Sequence, residues 1–272
     1  MIRARAPATT ANMGPGFDCA GAALDLWNEL RVTEADGEPA TEDLVVRAFA
    51  RFAPPARREF TLTGEIPRER GLGSSAAVVA LGLVAGAIAA GVDPEPERLL
   101  AVGVDLEGHP DNLAAALAGG VCLTWDGRIA RIADSVPATP LVVVPETRVK
   151  TAQSRSALPE RIPHADAAYN VARSALLGAS LATGSPELFA AALADRLHEP
   201  YRSPLLAEIR ADPPSGALGA TLSGSGPSIV VWARPEAAEV CRTSLAERFE
   251  DMHVLQLSVS SKGAYGEDGY YA

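Results

Sequence analysis

Apolar and polar positions follow two rhythms along this chain, and the rhythm changes often. Residues 1–32 read as strand, loop and strand, the second strand carried by the mixed apolar segment ALDLWNELRV. A polar loop, EADGEPATED, occupies 34–43, a Pro- and Arg-rich stretch runs from Ala53 to Arg58, and EFTLTGEI alternates like a half-exposed strand. From Gly71 a glycine-rich loop enters a helix expected to run to Ala90. GVDPEPE stops that helix and starts another, with Pro and acids in its first turn and Leu99–Leu106 as its body. Asp111–Leu117 reads as a short helix, and Val121–Trp125 and the fully apolar Leu141–Val144 as strands. The second half begins near Pro145. Helical spacing covers Ala165–Ala182, Leu188–Leu197 and Pro235–Phe249, and strands are expected at Ala217–Leu222, Ser228–Trp232 and Val254–Val259. The tail GAYGEDGYYA reads as loose, and no internal repeat or low-complexity tract occurs. So irregular a mixture of helices and strands favours an α+β architecture over a regular βαβ series.

Composition narrows the classes. The run Gly71–Val92 has no charged side chain, but it is mostly Gly, Ala and Ser, which makes it a buried helix rather than a membrane span. The chain of 272 residues is 47% hydrophobic, ample for one large domain or two. Its net charge of −10 argues against non-specific binding to nucleic acid or an anionic membrane, since neither has a basic field to steer it. Only Lys150 and Lys262 among the 24 basic residues are lysines, which leaves few candidates for a Walker-type lysine. Cys19, Cys122 and Cys241 are odd in number, with no CxxC, so neither a disulfide framework nor a zinc site is expected. Free thiols, and a start (MIRARAPATT) without the apolar run of a signal peptide, fit the cytoplasm.

Four segments carry candidate chemistry. In PRERGLGSSAAVVAL, Pro67–Leu81, successive small residues let backbone amides face an anion while the following helix aims its positive end at it. Ser74 and Ser75 add hydroxyls suited to phosphate oxygens or a metal. The segment is neither GxxxxGK[ST] nor GxGxxG, and its plain structural reading is a capped helix start. PATTANMGPGFDCAGAALDL, Pro7–Leu26, leaves Asn12 and Asp18 on an exposed turn, or is simply an Asn/Asp hairpin turn. TLSGSGPSIVV, Thr221–Val231, is a glycine- and serine-rich connection between apolar runs, otherwise a hairpin loop. EGHPDNLAAALAGG places Glu107, His109, Asp111 and Asn112 within six residues of one another, just before a small-residue helix; a helix start capped by Asp111 would not require the other acid and the histidine.

Together these strings resemble the GHMP kinase superfamily, which includes galactokinase, homoserine kinase, mevalonate kinase and phosphomevalonate kinase. GLGSSAA at 71–77 matches the superfamily's phosphate loop letter for letter. PATTANMGPGFD is close to the P-A-S-S-A-N-L-G-P-G-F-D of homoserine kinases, as is EGHPDN followed by GG. TAQSRSALP at 151–159 and HEPYRSPL at 198–205 are similar to that family's T-x-x-x-R-x-x-L-P and H-x-P-Y-R-x-x-L segments. The resemblance runs from about residue 3 to 260 and is weakest over 33–64, where this chain is shorter than the family. It implies an α+β, two-domain GHMP kinase fold. Residues 1–147 would form the N-terminal domain, with a left-handed βαβ unit and the phosphate loop, and 148–272 a ferredoxin-like C-terminal domain, with ATP bound between the two.

The activity so implied is transfer of the γ-phosphoryl of ATP to the side-chain hydroxyl of L-homoserine, a step towards threonine. Pro67, Arg68, Glu69, Arg70, Gly71, Leu72, Gly73, Ser74, Ser75, Ala76 and Ala77 would hold the triphosphate, and Ser75 and Glu107 would bind Mg²⁺, a pair of hard oxygen ligands suited to that ion. By the same resemblance Asp18 would take the substrate's ammonium and Asn12 its hydroxyl end. His109 and Asp111 would lie beside it, Arg155 and Arg202 would bind its carboxylate through their planar forks, and Thr151 would be a nearby contact. Where mevalonate-type relatives have a catalytic Asp, Asn112 stands here, and an amide cannot remove a proton at neutral pH. The implied mechanism is direct in-line attack with the hydroxyl proton lost late, His109 or Asp111 as base being disfavoured. Two other readings stay open: a kinase of another alcohol such as mevalonate, which has no ammonium for Asp18, and a non-catalytic ATP- or amino-acid-binding sensor. Homoserine and ATP are the implied partners, with a homodimer left open.

Overall fold

The computed structural model describes residues 1–149 and 151–268. The long strands β1 (Ile2–Ala11) and β2 (Ala20–Glu34) pair along their whole length, from Ile2 opposite Val32 to Ala11 opposite Gly21. Pro7 has no amide hydrogen to give the ladder, and the register shifts at Pro7/Ala8. On the far side of β2 lie β3 (Arg58–Gly64), against residues 28–34, and β4 (Val121–Trp125), against 20–22. Both run antiparallel to β2 and therefore in the same direction. The helices between them, α2 (Ser74–Ala89), α3 (Pro96–Glu107) and α4 (Pro110–Ala118), thus form the crossover of a βαβ unit. A tight Asp126-Gly127 turn, both residues at positive φ, adds β5 (Arg128–Ala133).

The uncharged run beginning at Gly71 is a buried helix, as its composition predicts. Residues 79–87 of α2 are all buried, and Gly82 and Gly86 let a short helix, α1 (Leu44–Phe49), lie against it. A Cβ at either glycine would strike the α1 backbone, at the Val45 or Phe49 carbonyl oxygen.

The second sheet contains β6 (Thr139–Val144), β7 (Ala217–Leu222), β8 (Ile229–Ala233) and β9 (His253–Gln256), all antiparallel in the order β7-β8-β6-β9. That order is the ferredoxin-like one. It also explains why Leu141–Val144 is apolar without alternation, because both faces of the sheet are buried. Leu141, Val143, Ile229 and Val231 pack on α8 (Pro204–Ala211) and α9 (Ala238–Arg248). Val142, Val144, Val230 and Trp232 face the core of the first sheet. There Trp232 meets Phe189 edge-on at 5.3 Å and donates its indole N–H to Thr221 Oγ1 at 2.9 Å. Two further helices, α6 (His164–Thr183) and α7 (Pro186–Ala192), cover this junction, and α5 (Thr151–Ser156) bridges towards the first unit.

Several expectations need correction. The tail is not wholly loose: Tyr265–Asp268 forms β10 on the free edge of β1, held by backbone pairing that a polar, glycine-containing segment does not advertise. The helix expected over Leu188–Leu197 ends at Ala192, because the Asp195 carboxylate accepts the amides of His198 and Glu199 and starts a new turn. The strand expected to reach Val259 ends at Gln256, after which the chain crosses to the first sheet, where Val259 bridges Leu24. The helix start near Asp111 is capped at His109, with Pro110 in the first turn. Helices α1, α5 and α8 and strand β5 were not anticipated; the helices are one to two turns long, too short to show a periodicity. Among the described residues no helix is long and apolar enough to cross a membrane.

Candidate functional site

The phosphate loop enters α2 through Gly73, which has φ +64° and whose Cβ, if present, would collide with Thr9 Oγ1. Thr9 sits under the loop: its amide donates to the Leu72 carbonyl at 3.1 Å, and its hydroxyl donates to Asn112 Oδ1 at 2.7 Å. No side chain caps α2, so the amides of its first turn are available to an anion. At the other end of the segment, Arg70 donates to the Glu146 carbonyl oxygen, and the Val149 amide donates to Glu69 O at 3.2 Å. Arg68 and Glu69 are exposed.

The third glycine-rich string proves to be the buttress of this loop. Ser223 Oγ lies 2.7 Å from Gly71 O and 2.9 Å from Thr10 Oγ1, the Ser228 amide donates to Arg70 O, and the Gly224 amide donates to Ala11 O. Ser154 Oγ donates to Ser225 O at 2.9 Å. One loop of the second sheet therefore ties β1, the phosphate loop and α5 together.

Glu107 ends α3, Gly108 turns the chain at φ +86°, and α4 restarts at His109, so two acids and a histidine share one elbow. The Ser75 hydroxyl bonds the Glu107 carboxylate, whose Oε2 is buried with no partner. Burial, with a smaller contribution from the Asp111 charge, pushes the Glu107 carboxyl up to about 7 against the Ser75 bond. Burial likewise raises Asp111 to about 6, opposed by the Asn112 amide, which donates to its Oδ1 at 2.7 Å. Burial and then the Arg155 charge hold His109 below its ordinary value.

The loop between β1 and β2 supplies the other wall. Asn12, Met13 and Asp18 all have positive φ, and Met13, the costliest of the three in that conformation, is fully buried. Asp18 accepts from Arg155 Nη2 at 2.7 and 2.9 Å, and the same nitrogen lies 3.3 Å from His109 Nδ1. Arg155 and Arg202 both stand over the Phe17 ring, at 5.6 and 5.3 Å from its centre. Burial and the neighbouring Arg155 charge lower the Arg202 guanidinium from its ordinary value.

Most of the residues singled out from the sequence thus converge: Ser75 and Glu107 on one side, Asp18, His109, Asp111, Arg155 and Arg202 on the other, with Asn112 between them. Asn12 stands at the base of the loop that carries Asp18. Both ends of its amide are engaged within the protein, Nδ2 donating to Gly224 O at 3.0 Å and Oδ1 accepting from the Asp18 amide at 3.0 Å. Thr151 opens α5, and its side chain lies outside the described residues. Thr9, Phe17, Ser154, His198 and Ser223 were not singled out individually, although each lies in a segment quoted above, because each matters through contacts remote in sequence. Cys19 also belongs here, its thiol pushed up by burial and by Asp111 and Asp18.

Comparison with known proteins agrees with this geometry. The family described as GHMP kinases N terminal domain matches residues 43–120, and GHMP kinases C terminal matches 167–251. The homoserine kinase of Prochlorococcus marinus (strain MIT 9515) is 37% identical over 95% of this chain and 93% of its own. That of Clavibacter michiganensis (strain NCPPB 382) is 39% identical over 97% and 93%. The crystal structure of homoserine kinase from Cytophaga hutchinsonii superposes with a TM-score of 0.86 at 27% identity, covering 98% of this chain and 97% of that one. A mevalonate kinase structure shares the fold alone, with a TM-score of 0.73 at 14% identity over 95% and 99% of the two chains. With the phosphate loop, the acidic elbow and the arginine pair carried on this scaffold, the chain belongs to the homoserine kinases of the GHMP kinase superfamily.

Proposed function

We propose that this chain transfers the γ-phosphoryl group of ATP to the side-chain hydroxyl of L-homoserine, giving O-phospho-L-homoserine on the way to threonine. The observation that carries the residue assignments is the facing of two unlike walls: an uncapped helix start beside a half-satisfied acid, opposite a zwitterion-sized set of Asp18, Arg155 and Arg202. Residues 1–147 supply the first wall with Asp18, and 148–272 supply the arginines. The free thiols Cys19, Cys122 and Cys241 support a cytoplasmic setting.

Phosphoryl transfer asks a protein chiefly for positioning and charge neutralisation. The residues from Pro67 to Ala77 would receive the phosphates on backbone amides at the start of α2, which is why a loop without lysine suffices. The orphaned, buried Glu107 Oε2 beside the Ser75 hydroxyl fits Mg²⁺, a hard ion that takes few protein oxygens and completes its shell with water and phosphate. When bound, that ion supplies charge neutralisation at the phosphate oxygens.

On the acceptor wall Asp18 takes the ammonium and the two guanidinium groups take the carboxylate. The Arg155–Asp18 pair opens at small cost, since both side chains are about two-fifths exposed. Asn112, its carbonyl oxygen fixed by Thr9, cannot accept a proton, so the hydroxyl attacks in line and loses its proton late, to the transferred phosphate or to solvent. Asn12 holds the loop that presents Asp18. A coupled ADP-release assay with Mg²⁺ across L-homoserine, L-serine, L-threonine, mevalonate and galactose tests this: kcat/KM is highest for L-homoserine. An equal or higher value for mevalonate refutes the acceptor assignment.

A further inference from the structure

We propose that His198 is a positioning residue of this kinase: its Nδ1 accepts from Arg202 and sets that guanidinium at the place where the acceptor's carboxylate binds. The proposal rests on the assignment of Arg202 to the acceptor made above.

The His198 side chain is fully buried, and every polar atom around it constrains the ring. Nε2 lies 2.8 Å from the Gly14 carbonyl oxygen. A carbonyl only accepts, so Nε2 carries the hydrogen, and in the neutral ring Nδ1 is left with its lone pair. That lone pair faces Arg202 Nη1 at 3.4 Å. Burial, and more weakly the Arg202 charge, holds the ring below its ordinary value against the opposing Asp195 charge and Gly14 bond.

The ring cannot turn to another partner. Phe17 stacks on it at 4.9 Å and 24°. The His198 amide donates to Asp195 Oδ2 at 2.8 Å, Asp195 Oδ1 accepts from Asn170 Nδ2 at 2.7 Å, and Asn170 Oδ1 accepts from the Arg196 amide at 2.8 Å. A rigid line thus runs from α6 through Asp195 and His198 to Arg202. Arg202 needs such a fixture. It shares the Phe17 ring with Arg155, whose like charge would drive it towards solvent, and among the described residues its one other hydrogen bond is from Nε to Ser154 O at 3.2 Å. A guanidinium already held where it is needed loses less freedom when a carboxylate arrives.

Two isosteres separate this role from mere support of the loop. In His198→Gln the side-chain amide N–H reaches the Gly14 carbonyl, and no acceptor remains where Nδ1 was. In His198→Asn the amide oxygen replaces Nδ1, and the Gly14 bond is lost. The expected result for His198→Gln is a homoserine KM raised roughly 5- to 30-fold, with kcat, the ATP KM and Tm near wild type. The KM for homoserine amide, which keeps the ammonium and lacks the carboxylate, stays unchanged in the same variant. His198→Asn keeps a homoserine KM close to wild type although its Tm falls. Variants whose KM rises in step with lost Tm, for the amide as much as for homoserine, overturn the proposal. A wild-type homoserine KM in His198→Gln beside a raised one in Arg202→Met overturns the positioning role alone. An unchanged KM in Arg202→Met overturns the assignment of Arg202 and this proposal with it.

Discussion

Asp18→Asn isolates one contact of the acceptor. The Asp18 backbone has φ +57°, which asparagine tolerates, whereas alanine would add strain of its own. The Asp18 amide donates to Asn12 Oδ1 whatever the side chain, so the loop keeps its tether. What changes is the charge opposite the ammonium. A hydrogen bond to a charged group in a partly desolvated site contributes about 1.5–3 kcal/mol. Against this stands the pair with Arg155, which the acceptor must open in the native protein and need not open in the variant. With side-chain exposures of 41% and 38% that pair contributes at most about 1 kcal/mol. The net loss is about 2 kcal/mol, roughly 30-fold in kcat/KM for L-homoserine, with an unchanged ATP KM. The control acceptor is 4-hydroxybutyrate, which has the same hydroxyl and carboxylate and no ammonium. Native protein and variant should differ on it by less than about 5-fold, because only the Arg155 pairing, at most about 1 kcal/mol, distinguishes them. Steady-state ADP release with both acceptors reads the difference. An equal loss on the two acceptors, or no loss on homoserine, refutes the assignment of Asp18 to the ammonium.

Two predictions concern the acids of the elbow. Glu107 is protonated below about 7, and a protonated carboxyl holds Mg²⁺ poorly, so kcat/KM for ATP should rise with pH through that value and level off above it. More Mg²⁺ should move the midpoint to lower pH, and Glu107→Gln should abolish the rise along with most turnover; a midpoint indifferent to Mg²⁺ refutes the role. The same shift has the opposite sign for ligand-free stability: because the folded value exceeds the unfolded one, native Tm should fall relative to Glu107→Gln as pH rises from about 4.5 to 7. Asp111→Asn should keep kcat within about tenfold of native, since a general base contributes about 10²–10⁴-fold and none is assigned here. A larger loss in a folded Asp111→Asn variant makes Asp111 the base.

The glycine-rich loop and the acidic elbow were legible in the sequence because their residues are contiguous. The amides of Gly71–Ala77 and the side chains of Glu107, His109, Asp111 and Asn112 come from two short strings, each with a local reason for its shape. Gly73 turns into α2, and Gly108 followed by Pro110 separates α3 from α4. The strands of the second sheet were legible for a different reason, their apolar character being set by burial on both faces. The supports were not legible. Asp195 ends a helix that apolar spacing would continue, because its carboxylate prefers two backbone amides further along the chain, and only the folded protein brings Asn170 to hold it there. Tyr265–Asp268 joins the first sheet through backbone pairing, with the Tyr265 ring edge-on to Trp27, and no alternation of apolar and polar residues announces it. Asn12 was legible as important, but its partners were not, since the Gly224 carbonyl that its amide meets comes from a loop 212 residues away in sequence.

The loop Thr221–Ser228 shows why the two units cannot be treated as a nucleotide half and an acceptor half. It belongs to the second sheet, yet its backbone and Ser223 touch β1, the phosphate loop and α5. Asn12 bonds Gly224 O in the same loop, and through its other end it holds the Asp18 amide. The wall proposed to receive phosphate and the wall proposed to receive the amino acid are therefore cross-braced by one connection whose glycines and serines permit close approach. Displacing that connection would move Gly71 and Asp18 together. The in-line geometry of transfer depends on the distance between those two walls, and a shift of about an ångström there costs on the order of 100-fold in rate. Docking of the second sheet against the first is thus part of assembling the site, which accounts for the packing of Val142, Val144, Val230 and Trp232 into the first sheet's core.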